Sequence, residues 1–349
     1  MEKRKLNIAV TGLNNIDSPG PGIPVIRGIR DNEEWDVRII GLSYETLEPG
    51  MYMKDLVDKS YQIPLPSTGT SNLMERIQYI HSIEKIDVLI PNFDAELFNF
   101  IKLSDRLESE MGIKTFLPTL EQFEARHKAN LYEYGVEHGI QVPKTKMVFN
   151  TSDFFNLNGE FEYPLVVKGQ YYDAAVAYTP EQAVTHFNKI SAKWGLPILI
   201  QEFVFGQEVN VTALGDGDGN TVGAVPMRKK FITDKGKAWA GITIEDQKLL
   251  DVTHQLLQET KWRGPLELEL IKTNEDEYYL LEINPRFPAW VYLAVGAGQN
   301  HPADLVRMAL GEKPVANLEY EVGKLFIRYS YDLICDLSQF EQISTMGEL

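Results

Sequence analysis

The sequence predicts an α/β domain followed by an α+β domain built of two lobes, and three observations carry that expectation. Short apolar runs at 6–10, 37–42 and 88–91 alternate with helix-like stretches at 25–31, 72–83 and 96–112, the rhythm of a small parallel sheet carrying helices. From residue 142 the chain turns β-rich. Runs at 145–149, 165–168 and 174–178 precede a helix at 181–194, introduced by Thr179-Pro180, and a long apolar strand at 196–204. Finally, residues 264–287 read GPLELELIKTNEDEYYLLEINPRF, two strand-like runs around a polar turn.

Composition narrows the function classes. With 349 residues and 44 % hydrophobic side chains, the chain is long enough for two or three domains with ample core. A formal charge of −16 and a pI near 4.9 argue against a nucleic-acid binder, which needs clustered Lys and Arg. The apolar run after the basic start is too short for a signal peptide, and no stretch approaches the ~18 apolar residues of a membrane span. The single cysteine, Cys335, forbids an intramolecular disulfide and fits a reducing cytoplasm; it reads as a small buried hydrophobe.

In the first domain, the run at 6–10 ends in Thr11-Gly12 and a loop holding Gly20, Gly22, Pro19, Pro21 and Pro24. This is not G-x-G-x-x-G, and its prolines are expected to obstruct a dinucleotide-binding turn. Asp94 and Glu96 are read as helix-capping residues. Thr119 and Gln122 then form a candidate capping box for a helix running to Tyr134, with Lys128 in its middle.

The stretch 264–287 is the richest in chemistry. Leu266, Leu268 and Leu270 alternate with Glu267 and Glu269, and Glu282 and Asn284 stand two apart in the second run. A turn centred between Glu275 and Asp276 sets Glu269 opposite Glu282 and Glu267 opposite Asn284 on one face. Facing carboxylates about 5 Å apart repel, so a cation is expected between them, and oxygen ligands favour Mg²⁺ or Mn²⁺. Glu269 and Glu282 are the chosen ligands with Asn284; Glu267 is a neighbour. Arg286 follows in a Pro-bounded turn suited to an anion. Metal plus arginine suggests phosphate chemistry, against the plainer reading of a solvated acidic hairpin.

Other candidates are weaker singly. Lys168 ends YPLVVK, either snorkelling to the surface or aimed into a cleft. Glu202 sits inside the apolar strand of LIQEFVFGQE; with a backbone donor near Val204 and a carboxylate at Glu208, it suits adenine and ribose hydroxyls. The basic run MRKKFITDKGK at 227–237 is either a solvated loop or a cleft lining, followed by a loop at Trp239-Ala240-Gly241. GAGQNH at 296–301 reads as a helix C-terminus, and Arg328 is a further candidate for an anionic substrate.

In order along the chain, Lys128, YPLVVK, QEFVFGQE and the acidic hairpin with EINPR resemble the ATP-grasp superfamily, carboxylate–amine ligase type, over about 117–328. The resemblance implies an α/β pre-ATP-grasp domain at 1–116, an α+β ATP-grasp domain at 117–330 whose two lobes clasp ATP (small lobe about 140–204), and a tail at 331–349. It implies that Lys128 and Lys168 contact ATP phosphates, that Glu202 and the Val204 backbone frame adenine, and that Glu208 holds ribose. Glu269, Glu282 and Asn284 would bind Mg²⁺ or Mn²⁺. Arg286 would steady the transferred group, and Arg228 or Lys230 the acceptor carboxylate or the γ-phosphate. The implied partners are a small-molecule or peptide carboxylate and an amine (or thiol), with no nucleic acid and no membrane; a homodimer is the default pairing. One departure stands out. The segment after Lys168, GQYYDAAVAY, lacks the Gly- and Ser-rich phosphate cover of the superfamily, unless Tyr171 or Tyr172 serves as a shortened lid. A phosphotransferase and a non-catalytic ATP-binding protein therefore stay open beside the ligase.

Overall fold

The computed structural model describes residues 3–15, 19–157, 159–170, 173–233 and 236–349. Packing divides the chain into two compact units: unit 1 comprises Met1–Leu120, Asn210–Glu267 and Asn284–Leu349, and unit 2 comprises Glu121–Val209 and Leu268–Ile283.

Unit 1 opens with β1 (Arg4–Val10), β2 (Trp35–Ser43), β3 (Lys59–Gln62) and β4 (Val88–Ile90), in the order β3-β2-β1-β4. All pairs are parallel, with Ile8 aligned to Ile39 on one side and Val88 on the other. Helices α1 (Gly22–Arg30), α2 (Thr70–Glu84) and α3 (Asp94–Met111) alternate with the strands. The three apolar runs read from the sequence are β1, β2 and β4. Strand β3, KSYQ, has no apolar run and is made by its register with β2, Ile40 opposite Lys59.

Helix α1 starts at Gly22, directly after the Gly/Pro loop and three residues before the expected start. Pro21 precedes it and Pro24 lies in its first turn, where backbone N–H groups have no intrahelical acceptor, so both prolines are compatible with the helix start. The Gly22 N–H donates to Gly12 O at 2.9 Å, and a Cβ on Gly22 would lie 2.2 Å from Thr11 O, so only glycine fits. Asp17 and its neighbours Ile16 and Ser18 lie outside the described residues.

Unit 2 contains α4 (Leu120–Ala125) from Glu121 onward, α5 (Leu131–His138) and a four-stranded antiparallel sheet. Its strands are β5 (Thr145–Val148), β6 (Leu165–Gly169), β7 (Ala174–Ala177) and β8 (Ile198–Glu202), ordered β5-β8-β6-β7. Helix α6 (Pro180–Trp194) has Pro180 at its first position and the Thr179 hydroxyl accepting from the Gln182 N–H at 3.3 Å. Leu165 and Val167 of β6 pack with Phe154, Phe187, Ile190 and Ile198, leaving Val166 and Lys168 on the other face of the strand.

A six-stranded sheet follows in the order β13-β12-β9-β10-β11-β14, with β9 (Gln207–Asp216), β10 (Thr221–Ile232), β11 (Ala238–Thr243), β12 (Arg263–Lys272), β13 (Tyr278–Asn284) and β14 (Leu325–Ile327). The remaining helices are α7 (Gln247–Thr260), α8 (Tyr292–Gly296), α9 (His301–Ala309) and α10 (Leu337–Met346). Within unit 1, Leu214, Val222, Phe287, Val291 and Leu305 share one core with Ile8, Val10 and Ile26 of the parallel sheet and its helix. Among the described residues, no helix is long and apolar enough to cross a membrane. Cys335 is exposed, contrary to its reading as a buried hydrophobe, and lies in a stretch, 328–336, without regular secondary structure.

A buried acid cluster stands at the strand ends of unit 1. Glu96 accepts from the hydroxyls of Thr11 and Tyr44 and from the Asn92 and Phe93 N–H groups at 2.7 and 3.0 Å. It caps α3, as read, but also ties β1 to β4. Glu48 accepts from the Tyr44 and Glu45 N–H groups at 2.8 and 3.2 Å, yet burial lifts its carboxyl from the ordinary 4.5 to about 7. Between those values the folded chain keeps a proton that the unfolded chain releases, so stability falls as pH rises through the window. Glu48→Gln is expected to flatten part of the decline in melting midpoint between about pH 5 and pH 8, read by calorimetry; an unchanged slope would contradict the assignment.

Candidate active site

Unit 2 gathers two lysines and two carboxylates. Lys128 lies in a turn between α4 and α5, held by the Asn130 N–H donating to His127 O at 2.7 Å. The single helix expected through Lys128 is thus broken there. Its ammonium stands 3.3 Å from Glu282 Oε2 on β13. Lys168, on the face of β6 turned away from α6, is depressed from 10.5 to about 8, chiefly by burial, then by the Lys128 charge; Glu282 and Glu269 pull the other way. A buried lysine whose proton affinity is lowered beside a second lysine, with carboxylates near both, forms a site in which a further polyanion would be welcome.

The hairpin turn in this unit is centred on Glu275, half a residue earlier than read. The Thr273 N–H donates to Glu277 O at 2.9 Å, the Asp276 N–H donates to Thr273 O at 3.2 Å, and Asp276 takes the left-handed conformation at φ 63°. A non-glycine residue in the left-handed region at Asp276 is a turn feature that spacing alone does not reveal.

Glu202 departs from its reading as a buried strand carboxylate. It is exposed at the end of β8, and Gln201 is the buried polar residue, donating to Thr145 Oγ1 at 2.9 Å. The Glu202 N–H donates to Lys144 O at 2.9 Å. Glu202, Phe203, Phe205, Lys144, Phe161 and Tyr163 line a cavity of about 440 Å³. Val204 and Glu208 are half-buried. Gly206 is required where β9 begins, since a Cβ there would lie 2.3 Å from Lys272 O. After Lys168, four residues join β6 to β7, closed by the Gly169 N–H donating to Asp173 O at 2.9 Å. Tyr171 and Tyr172 lie outside the described residues.

Unit 1 gathers a second cluster around Glu267, a carboxylate only 7 % exposed. It accepts from Trp290 Nε1 at 2.7 Å and Arg286 NH1 at 3.2 Å, with longer contacts from Asn284 Nδ2 at 3.4 Å and Asn210 Nδ2 at 3.5 Å. The Arg286 Nε also lies 3.5 Å from Asp94 Oδ2. Burial lowers the Arg328 guanidinium to about 10, and Glu267 opposes that shift. Arg228 is half-buried on β10, opposite Ile242 of β11. The basic run is thus a β-hairpin, not a loop, and Trp239-Ala240-Gly241 is strand β11; Asp234 and Lys235 lie outside the described residues. Sequence reasoning left Glu267 as a bystander and missed Asn210 and Trp290. Asn210, a polar residue in the apolar run VNVTAL, is the signal that could have found this cluster.

Among the described residues no three His, Cys, Asp or Glu side chains form a metal cage. Mg²⁺ seldom needs one, because it keeps waters and takes one or two carboxylates plus substrate phosphates. Glu269 and Glu282 offer that donor chemistry, with Lys128 as the present counter-charge of Glu282.

A family model described as ATP-grasp in the biosynthetic pathway with Ter operon matches residues 196–327. The carbamoyl phosphate synthase large chain of Clostridium beijerinckii is 25 % identical over 256 residues, covering 66 % of this chain and 22 % of that one. The biotin carboxylase domain of Hydrogenobacter thermophilus 2-oxoglutarate carboxylase, solved with MgADP, ADP and bicarbonate, superposes with a TM-score of 0.68 at 17 % identity, over 91 % of this chain and 72 % of that one. Residues 196–327 are thus similar to the ATP-grasp family, and the chain as a whole takes the fold of these solved proteins. The N5-carboxyaminoimidazole synthetase of Staphylococcus aureus shares the ATP-grasp fold at a TM-score of 0.67 and 12 % identity, over 92 % of this chain and 81 % of that one. The fold class read from the sequence, an α/β domain followed by an α+β ATP-grasp domain, is therefore the observed one. The chain spans only about a quarter of the length of the carbamoyl phosphate synthase chains it matches.

The charge arrangement in unit 2 has a measurable consequence. By NMR of labelled lysines, Lys168 is expected to lose its proton near pH 8, higher in Lys128→Met and lower in Glu282→Gln. Titration at the ordinary lysine value in wild type would overturn the assignment.

Proposed function

We propose that this ATP-grasp chain is an ADP-forming ligase joining a carboxylate to an amine (or thiol), with an amino acid or peptide as the carboxylate donor. The observation that carries the reading is the unit 2 cluster: a burial-depressed Lys168 beside Lys128, with Glu269 and Glu282 within electrostatic reach. ATP and Mg²⁺ (or Mn²⁺) are the proposed co-substrate and cofactor. Lys128 and Lys168 hold the phosphates; Glu202, the Val204 backbone and Glu208 take adenine and ribose; Glu269, Glu282 and Asn284 hold the metal. When bound, the metal neutralises phosphate charge and aligns the triphosphate.

In the proposed reaction a carboxylate oxygen attacks the γ-phosphorus, the bond to the β-phosphate oxygen breaks, and ADP leaves. The amine then attacks the acyl carbon, phosphate departs, and the amine proton goes to solvent. Arg286 steadies the negative charge of the transferred group, and Arg228 the acceptor carboxylate. No side chain acts as a covalent nucleophile. A cytoplasmic homodimer completes the proposal.

A second reading, nucleotide binding without turnover, is favoured by one observation: the sequence after Lys168, GQYYDAAVAY, has a single glycine and no serine where a Gly- and Ser-rich phosphate cover is expected. Metal-dependent ADP release with amide formation from an added carboxylate and amine supports the ligase. ADP release without an amine, leaving a phosphorylated product, makes it a phosphotransferase, and tight ATP binding without ADP release supports the second reading. Glu282→Ala and Asn284→Ala are each expected to lower turnover by about 100-fold or more with the fold intact by circular dichroism. Wild-type rates in both would end the metal assignment. Glu202→Ala is expected to weaken ATP affinity, measured by calorimetry.

A further inference from the structure

We propose that Glu267 is a positioning residue that holds Arg286 and orients the Asn284 amide. This rests on the ligase reading for its kinetic consequence but not for its geometry. An ionised carboxylate can only accept hydrogen bonds, so every group around it is ordered by the donor it must present. Trp290 gives its indole N–H at 2.7 Å and Arg286 gives NH1 at 3.2 Å. Asn284 must turn Nδ2 toward Glu267, at 3.4 Å, and therefore directs Oδ1 away from it. Oxygen is the amide atom a hard cation accepts, so the orientation that satisfies Glu267 is also the one a Mg²⁺ ligand requires.

Two features argue that the arrangement is not kept for stability. Asn210 is fully buried and points Nδ2 to Glu267 at 3.5 Å, while its Oδ1 has no hydrogen-bond partner among the described residues. An unsatisfied buried acceptor is destabilising, and such groups in folded proteins call for a functional explanation. Buried ion pairs such as Glu267 with Arg286 are also often matched in stability by apolar residues of similar size. What they supply is a fixed guanidinium: Arg286 is held by Glu267 on one edge and by Asp94, 3.5 Å from Nε, on the other.

The test is a double-mutant cycle in the full chain with Glu267→Gln and Arg286→Lys, assayed by metal-dependent ATP turnover. Glu267→Gln is expected to lower kcat by about 10- to 100-fold with KM for ATP changed by less than about threefold, since the loss is of orientation and not of nucleotide binding. In the Arg286→Lys background the same substitution should cost clearly less than in wild type, because the part that acts through Arg286 is already lost and only the part through Asn284 remains. A kcat within about twofold of wild type, or additive losses, would overturn the proposal. Glu267→Asp, which keeps the charge but withdraws it by one methylene, serves if the glutamine variant does not fold, with the same expected loss in kcat. If wild type turns over no ATP, the ligase reading fails by itself. The positioning claim is then read from hydrogen exchange of the Arg286 NH1 protons, expected to accelerate in Glu267→Gln or Glu267→Asp; an unchanged rate in the folded variant overturns it.

Discussion

A carboxylate placed where water is scarce has to be satisfied by the protein, and Glu267 is satisfied by donors from three parts of unit 1. Asn210 comes from β9, Asn284 from the end of β13, and Arg286 and Trp290 from the segment beyond. Because the carboxylate is acceptor-only, each of these side chains has one permitted orientation. The turn carrying Pro285 and Arg286 is therefore fixed by chemistry as well as by backbone, and the guanidinium is committed before any ligand arrives. Strand β12 makes this possible: its alternation sends Leu266 and Leu268 into the core and Glu267 to the opposite side.

Unit 2 manages charge differently. Its carboxylates are only partly buried, and Lys168 is brought down from the ordinary lysine value to about 8 by desolvation and by Lys128. Glu282 is shared between an ion pair with Lys128 and its influence on Lys168. Partly exposed pairs of this kind contribute little stability, so the cluster is better understood as prepared for other charges.

Much of this was legible in the sequence where side-chain pattern and structure coincide. The runs that became β1, β2 and β4, the Thr179-Pro180 start of α6 and the alternation of β12 are all local signals. What was not legible depended on neighbours distant in sequence. Strand β3 exists through its pairing with β2, the helix around Lys128 breaks without a proline or glycine to mark it, and Gln201 rather than Glu202 is buried because Thr145 lies across the sheet. The weight of Glu267 was hidden because Asn210 and Trp290 lie 57 and 23 residues away from it in the sequence.

The lowered proton affinity of Lys168 carries an implication for energetics of recognition. At neutral to mildly alkaline pH part of the population holds a neutral amine there. A triphosphate seated beside it would restore the ammonium by supplying the negative charge that burial leaves uncompensated. Docking would then draw a proton from the buffer, and the heat released would depend on which buffer supplied it. Recognition and proton uptake would be one event, set by a lysine that the fold keeps slightly short of its charge.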